Sequence, residues 1–391
     1  MFRVVRVRVI TMDFKLTEEQ EMLRSMARDF LAAKCTKKYV RDMEQDERGY
    51  SPDIWKEVAQ IGWTGLPFPE EYKGGGGTFL DLAILLEEMG RACFPGPFFS
   101  TVVLGGLTIL DAGSKEQKQE IIPRISQGNS LLTLALAEAS GSYQPEAITL
   151  RAIPDRGVFL LMGTKLFVPD ANAADYLICV SRNKDKSKPQ DGITLFLVKA
   201  PVQGLKITPM NTIASDKLCE VALDSVMVSY EDVLGKEGKG WPIVEKALLR
   251  ATAARCMEMV GGAQQVLDMS NAYAKERVQY GKPIGSFQAI QHYLANMAVD
   301  VDGCRYISYK AAWKMSEEPD DCQLEVATAK AWTSEAYRRV SSMGHRIHGG
   351  IGFTLDHDMQ LYYRRAKAAE VTYGDSDFHR EKIAQLIGLK S

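Results

Sequence analysis

The chain has 391 residues, of which 46% are hydrophobic and 25% are charged, and this composition is typical of a soluble enzyme. At roughly 150 residues per domain, the length predicts two or three domains with sizeable cores. The formal net charge of −2 argues against binding to nucleic acid or to an anionic membrane surface. No segment approaches the roughly 18 apolar residues that a membrane-spanning helix needs. The seven cysteines are scattered without a CxxC motif, which indicates reduced thiols and a cytoplasmic protein.

The chain begins with the segment MFRVVRVRVITMDF, in which arginines interrupt the valines. Because Arg3, Arg6 and Arg8 break the apolar run, the segment does not have the continuous core of a signal peptide. We interpret it as an arm or as an over-long gene start, with Met12 as the natural beginning.

The first third of the chain carries helix signals. Thr17 with Gln20 forms a capping-box pattern, Ser114 with Gln117 forms a second, and Ser51 followed by Pro52 predicts a third helix start. The run GTFLDLAILLEEMGRACF predicts a further helix. We therefore expect a helical domain over residues 13–130.

The pattern changes near residue 131. Short β-rich runs such as LLTLALA, YLICVS and GITLFLV are separated by turn residues, and NKDKSKPQDG (183–192) predicts a surface turn. This indicates a mainly antiparallel β domain over residues 131–239. Helical periodicity returns over residues 240–391, so the predicted fold class is α+β in the order helix, sheet, helix.

Two long motifs lie in the C-terminal third. They are ERVQYGKPIGSFQAIQHYLANMA (276–298) and HRIHGGIGFTLDHDMQLYYRRAKAAEVTYGDSDFHR (345–380). Both resemble the signature segments of acyl-CoA dehydrogenases, and the domain order resembles that family over nearly the whole chain after Met12. The resemblance implies the acyl-CoA dehydrogenase fold, with an N-terminal helical domain, a central β-barrel-like domain and a C-terminal four-helix bundle.

The resemblance also implies FAD as cofactor, bound between the β domain and the C-terminal helices and partly by a neighbouring subunit. In this arrangement Arg277 pairs with the pyrophosphate, which a guanidinium fork suits. Gln279 and Gln288 hydrogen-bond the same region. Gly349 and Gly350 let the backbone approach the dinucleotide, because neither carries a Cβ.

The β-domain part of the implied flavin site departs from the family pattern. Ala137 takes the place of a threonine that bonds the isoalloxazine ring, in a loop that continues to Ser142. Phe167 and Val168 take the place of a Trp-Ile pair, and Phe167 can still pack on the ring. Pro169, however, has no N–H to donate.

Three residues near the glycine pair have open or structural roles. Arg346 stands where the family has a glutamine, and it is either a cation for the pyrophosphate or a surface charge. His345 and His348 lack a third ligand at suitable spacing, so we expect structural histidines and no metal site.

The position of the catalytic base is the main departure. Dehydrogenation of a CoA thioester needs a base for the α-proton, and a buried glutamate suits this role. The resemblance places that glutamate at Tyr373, or in some relatives at Ala251, so neither position is acidic. A tyrosine at pH 7 would need roughly 4 kcal/mol to form its phenolate. Four acids are further candidates: Glu245, Glu258, Glu370 and Asp375.

The ending YYRRAK…YGDSDFHRE resembles a bacterial branch in which two different dehydrogenase-like chains form an α2β2 tetramer. In that branch one chain carries the glutamate and the other contributes interface residues to the flavin. We therefore expect a subunit of an acyl-CoA dehydrogenase, in a homo- or heterotetramer with α2β2 favoured, and electron-transfer flavoprotein as the acceptor. A self-sufficient dehydrogenase with a relocated base and a non-catalytic flavin-binding or scaffold subunit are the alternatives.

Overall fold

A computed structural model of the chain describes residues 12–183 and 188–389. Most of the N-terminal segment that we interpret as an arm or an over-long gene start lies outside the described residues. Residues 184–187, within the predicted surface turn, lie outside them too. None of the helices in the described ranges is long and apolar enough to cross a membrane.

The N-terminal region consists of helices, as the cap signals predict. The side chains of Thr17 and Ser114 accept the N3 backbone N–H, and the glutamine side chain at N3 bonds back, so both capping boxes are confirmed. Ser51 caps a helix that has Pro52 at its first position. The helices are α1 (Glu18–Lys34), α2 (Lys37–Gln45), α3 (Pro52–Gln60), α4 (Phe79–Ala92), α5 (Leu107–Ala112) and α6 (Lys115–Ser126), with a π-helical segment at Phe99–Gly106.

The middle region forms one eight-stranded sheet. Its strands are β1 (Leu132–Ala135), β2 (Arg151–Asp155), β3 (Val158–Pro169), β4 (Tyr176–Arg182), β5 (Ile193–Lys199), β6 (Leu205–Met210), β7 (Leu218–Ser229) and β8 (Val233–Leu234). The spatial order is β6-β7-β3-β2-β4-β5-β8, and β1 pairs with β4. Most pairs are antiparallel, as predicted, whereas β1 and β2 run parallel to β4.

The C-terminal region contains α7 (Trp241–Glu276), α8 (Gln288–Glu317), α9 (Gln323–His348), α10 (Met359–Val371) and α11 (Ser376–Leu386). A small hairpin of β9 (Val278–Gln279) and β10 (Lys282–Pro283) connects α7 to α8. Its turn residues, Tyr280 and Gly281, both have positive φ, as a tight two-residue hairpin requires. The sequence motif did not predict this hairpin.

Helices α4 and α7 touch backbone to backbone. A Cβ atom added at Gly90 would lie 2.0 Å from the carbonyl oxygen of Glu258, and one at Gly261 would lie 1.8 Å from that of Glu87. Because only glycine fits at these two points, α4 lies directly against the middle of α7. This contact places the end of α4 beside Arg255, and both border the small cavity described below.

Candidate active site

The turn between α10 and α11 is held by one buried cation. Lys330 on α9 is fully buried. Its Nζ donates to the carbonyl oxygens of Ala369 (3.0 Å), Glu370 (2.9 Å) and Gly374 (2.8 Å) and to Ser334 Oγ (2.9 Å). Burial lowers the pKa of Lys330 to about 8. The ammonium thus satisfies carbonyls that the end of α10 leaves without helical partners.

Tyr373 lies in this turn, in the left-handed region at φ 60°. Its ring stacks on Phe99 with centroids 6.2 Å apart and contacts the ring of Tyr143 at 5.8 Å. The guanidinium of Arg255 lies 4.2 Å from the centroid of the Phe99 ring, and His379 Nε2 is 3.0 Å from the carbonyl oxygen of Tyr373. The phenol is therefore fixed in a layer of aromatic side chains. We call Phe99, Tyr373 and Tyr143 the aromatic layer.

The environment of Tyr373 disfavours its phenolate. Burial raises the pKa of Tyr373 well above its usual value, and the neighbouring Arg255 charge lowers it by less. A general base needs a pKa near the working pH. Tyr373 is therefore a poor proton acceptor at neutral pH.

Two cavities lie on either side of the aromatic layer. Phe99 borders a small cavity of about 160 Å³, whereas Tyr143 and Tyr373 border a large cavity of about 960 Å³. The large cavity has the size of a ligand site. Its wall also includes Trp241, Glu245, Leu249, Thr252, Gln323 and His379.

Two carboxyl groups border the small cavity with altered acidity. Glu258 forms an ion pair with Arg255, and burial raises the pKa of Glu258 against the effect of that cation. Ser100 Oγ donates to Asp170 Oδ2 at 2.5 Å, and burial raises the pKa of Asp170 to about 6. Glu258 was among the candidates predicted from the sequence, whereas Asp170 and Arg255 were not. Arg255 and Glu258 are the charged residues of the otherwise apolar run ATAARCMEMVGGA, and this pattern could have indicated Arg255.

The other three acids proposed from the sequence have separate surroundings. Glu245 borders the large cavity. Glu370 pairs with Lys367 at 2.9 Å, and Asp375 caps α11 by accepting the N–H of Phe378 at 2.9 Å. Glu370 and Asp375 are thus already used in local contacts.

Three of the β-domain residues proposed for flavin contact lie close together, namely Ala137, Phe167 and Val168. The carbonyl oxygen of Ala137 accepts the N–H of Leu166 at 2.9 Å, which joins its loop to the strand of Phe167 and Val168. Phe167 is 47% exposed at φ 55°, whereas Val168 is buried. Ser142 Oγ accepts the N–H of Gln144 at 3.2 Å. An open aromatic face beside a short loop is suited to packing against a flat ring system.

A buried ion pair supports the loop of Ala137. Lys165 Nζ donates to Glu138 Oε1 at 2.6 Å and to the carbonyl oxygen of Leu136 at 3.0 Å. Glu138 also accepts the N–H of Thr149 at 2.9 Å and that of Leu150 at 3.0 Å. Because every partner is buried or part-buried and bonded, the pair fixes this loop on the sheet. The sequence pattern did not indicate the contact.

The C-terminal residues proposed for flavin contact form a second, exposed set. They are Arg277, Gln279, Gln288, Arg346, Gly349 and Gly350. The ring of Tyr273, one turn before Arg277, stacks on that of His348 at 4.5 Å, so the ends of α7 and α9 lie together. Within the described residues the Arg277 side chain makes no ion pair or hydrogen bond. Open space surrounds both glycines, and Gly349 has φ 66°. This set fits the phosphates of a dinucleotide.

The aromatic layer and Arg277 lie beside different parts of α7. About 22 residues of helix separate Arg255, beside the aromatic layer, from Arg277, which corresponds to about 33 Å. Arg277 therefore lies far from the aromatic layer of its own chain.

Comparisons with known proteins agree with this architecture. The N-terminal, middle and C-terminal domains of acyl-CoA dehydrogenase match residues 17–129, 133–226 and 238–388. The chain is 32% identical to the acryloyl-CoA reductase (NADH) of Anaerotignum propionicum, over 98% of each chain.

Two solved structures are also similar. Butyryl-CoA dehydrogenase from Megasphaera elsdenii superposes with a TM-score of 0.88 at 28% identity, over 96% of this chain and 100% of that one. The ChsE4-ChsE5 complex from Mycobacterium tuberculosis has a TM-score of 0.88 at 26% identity, over 97% of this chain and 100% of that one.

The fold and the matches define a flavoprotein oxidoreductase. The chain belongs to the acyl-CoA dehydrogenase family. It acts on acyl-CoA, and its cofactor is FAD.

The acidity of Asp170 predicts a pH-dependent effect of Asp170→Asn. The folded pKa of about 6 lies above the usual 3.8, so wild-type stability falls as pH rises from about 4 to 6, because only the folded state keeps the proton. The difference in melting temperature, variant minus wild type, should therefore be larger at pH 8 than at pH 4.5. The exposed Asp155→Asn serves as control and should show no such change. Equal differences at both pH values would contradict the assignment.

Proposed function

We propose that this chain is a subunit of an FAD-dependent acyl-CoA dehydrogenase whose catalytic base comes from a partner chain. The observation that carries the proposal is the environment of Tyr373. Its phenol is fixed in the aromatic layer, its pKa is raised by burial, and Lys330 holds the turn in which it lies. The resemblance places the usual glutamate at this residue.

The reaction needs a proton acceptor that this turn does not supply. In α,β-dehydrogenation a base removes the α-proton of the thioester, and the flavin, when bound, accepts the hydride from the β-carbon. In this chain the exposed Phe167 would pack against the flavin ring, and Arg277 and the glycine pair would contact flavin phosphates. The large cavity beside Tyr373 accommodates part of the acyl-CoA. The remaining requirement is a carboxylate at the α-carbon.

The distance of Arg277 from the aromatic layer supports an assembly of subunits. Because Arg277 lies about 33 Å along α7 from Arg255, which is beside Tyr373, we assign it to a flavin that lies mainly on a neighbouring chain. The similar ChsE4-ChsE5 structure is a complex of two chains, which favours a different partner and an α2β2 tetramer. Electron-transfer flavoprotein is the proposed acceptor.

A self-sufficient dehydrogenase with Glu258 as base is the second candidate. Glu258 borders the small cavity, and burial raises its pKa toward the range that a base needs. Two observations count against it. Arg255 already binds its carboxylate, and the Phe99–Tyr373 stack stands between the small and the large cavity. A Glu258→Gln variant of the assembled enzyme that keeps its activity would exclude this candidate.

The partner can be tested by purification. Expressed alone, the chain should not reduce a ferrocenium acceptor with acyl-CoA. Co-expressed with the dehydrogenase-like product of a neighbouring gene, it should form a yellow, active oligomer. Turnover by the chain alone would contradict the partner-dependent reaction. Stable FAD without turnover in every combination would indicate a non-catalytic subunit.

Tyr373→Phe removes the hydroxyl and keeps the aromatic layer. We expect the turnover number of the assembled enzyme to change little, because the base lies elsewhere. Tyr143→Phe, which removes the neighbouring hydroxyl, is the matched control. If the Tyr373 hydroxyl were the base, the variant would lose roughly 10²–10⁴-fold in rate, and only Tyr373→Phe would do so.

Arg277→Ala tests the phosphate contact. Loss of the guanidinium should lower the ratio of flavin to protein in the assembled oligomer, because a charge-assisted bond to the pyrophosphate is removed. Lys275→Ala, which removes an exposed cation from the same helix end, should leave that ratio unchanged. Equal flavin content in the Arg277 variant would refute the contact.

A further inference from the structure

The small cavity has a mixed wall. Its apolar side includes Met89, Phe94, Met259 and Tyr337, and its polar side carries several charged residues. A volume of about 160 Å³ is close to that of a cavity that holds a benzene-sized molecule. A purely hydrocarbon ligand would leave the charged side without partners, which is costly in a buried site.

Each acidic side chain of the wall already has a donor. Arg364 Nη2 donates to both carboxylate oxygens of Glu44 at 2.9 Å. Ser100 donates to Asp170, and the hydroxyl of Thr212 donates to Asp216. The fourth acid, Glu258, pairs with Arg255. The acidic groups therefore do not require a cation from a ligand.

The cations of the wall are less fully satisfied. Lys217 Nζ donates to a backbone carbonyl oxygen, that of Glu44, at 3.0 Å. Arg365 makes no ion pair or side-chain hydrogen bond within the described ranges, and its buried Nε has no acceptor. The buried Nε of Arg255 also has no acceptor. Buried donors without acceptors are unfavourable by about 1–3 kcal/mol each.

Helix α10 directs Arg365 toward the cavity. The cavity wall includes Arg365, Ala368, Ala369 and Thr372, which follow the spacing of one helix face. The neighbouring cation Lys367 is instead exposed and pairs with Glu370. Arg365 is therefore the cation on this helix that a ligand in the cavity meets.

We propose that the small cavity binds a carboxylate group on a short hydrocarbon stem, with Arg365 as its principal partner. A planar guanidinium matches a carboxylate, and the apolar side of the wall covers the stem. The raised pKa values of Asp170 and Glu258 reduce the negative charge that would oppose such a ligand. The proposal concerns binding alone, so it does not depend on which chain supplies the base.

The carboxylate has two possible sources, a free acid or the far end of an acyl group carried by CoA. To test for a free acid, calorimetry on the assembled protein compares the affinity for butyrate with that for its neutral counterpart, butyramide. To test for the end of an acyl group, the same measurement compares the affinity for adipoyl-CoA with that for hexanoyl-CoA. Tighter binding of butyrate with no preference for adipoyl-CoA indicates a free acid, and a preference for adipoyl-CoA indicates a dicarboxylic acyl group. The absence of a preference in both pairs overturns the proposal.

Substitutions assign the preference to Arg365. Arg365→Leu should weaken binding of the preferred carboxylate by roughly tenfold or more, because a charged hydrogen-bond partner is lost. Lys367→Leu, which removes the exposed cation of the same helix, should leave binding unchanged. Arg365→Lys keeps the charge and should weaken binding less than Arg365→Leu does. It replaces the leucine variant in this test if that variant does not fold. Unchanged binding in the Arg365 variants would overturn the assignment.

Discussion

The buried ammonium of Lys330 is the contact on which the candidate active site depends. It binds three carbonyl oxygens at the end of α10 and in the following turn, and it has no exposure to solvent. Such a cation is stable in the interior only while these acceptors surround it. The turn is therefore fixed, and Tyr373 is held against Phe99 rather than free to move toward a ligand.

This constraint connects the local geometry to the proposed chemistry. A carboxylate in this turn would border the large cavity, whereas the tyrosine presents a phenol with a raised pKa. Burial raises the pKa of a carboxylic acid and of a phenol alike. Because the usual pKa of a carboxylic acid is far lower, burial brings it toward neutral pH. Burial thus makes a glutamate better suited to proton abstraction, whereas it moves the pKa of a tyrosine further from neutral pH.

The residues proposed for flavin contact form two sets that differ in the groups they keep. The β-domain set keeps packing groups around Phe167 but lacks some donors, as Ala137 and Pro169 show. The set at the end of α7 keeps Arg277 unpaired within the described part of the chain, together with open glycine backbone. If the set at the end of α7 serves a neighbouring chain, as we propose, this division is suited to an assembly in which the subunits have different roles.

Much of the fold could be predicted from local sequence, because caps, turn residues and periodicity act over a few residues. The capping boxes at Thr17 and Ser114 and the β-rich runs are examples. The contacts that shape the site join distant parts of the chain, such as Lys330 with Gly374 and Glu138 with Lys165. Periodicity carries no information on these pairs. The placement of Asp170 beside Ser100, and of Gly90 against α7, likewise depends on how the domains pack.

The proposed function requires that this chain supply no base for the α-proton. The most direct measurement is hydrogen exchange at the α-carbon of butyryl-CoA in D2O, followed by mass spectrometry, with the purified chain alone. We expect no deuterium uptake above the rate without protein. A Tyr373→Glu variant, which places a carboxylate in the same turn, should show uptake. Uptake by the wild-type chain at a rate comparable to that of the variant would contradict the proposed function.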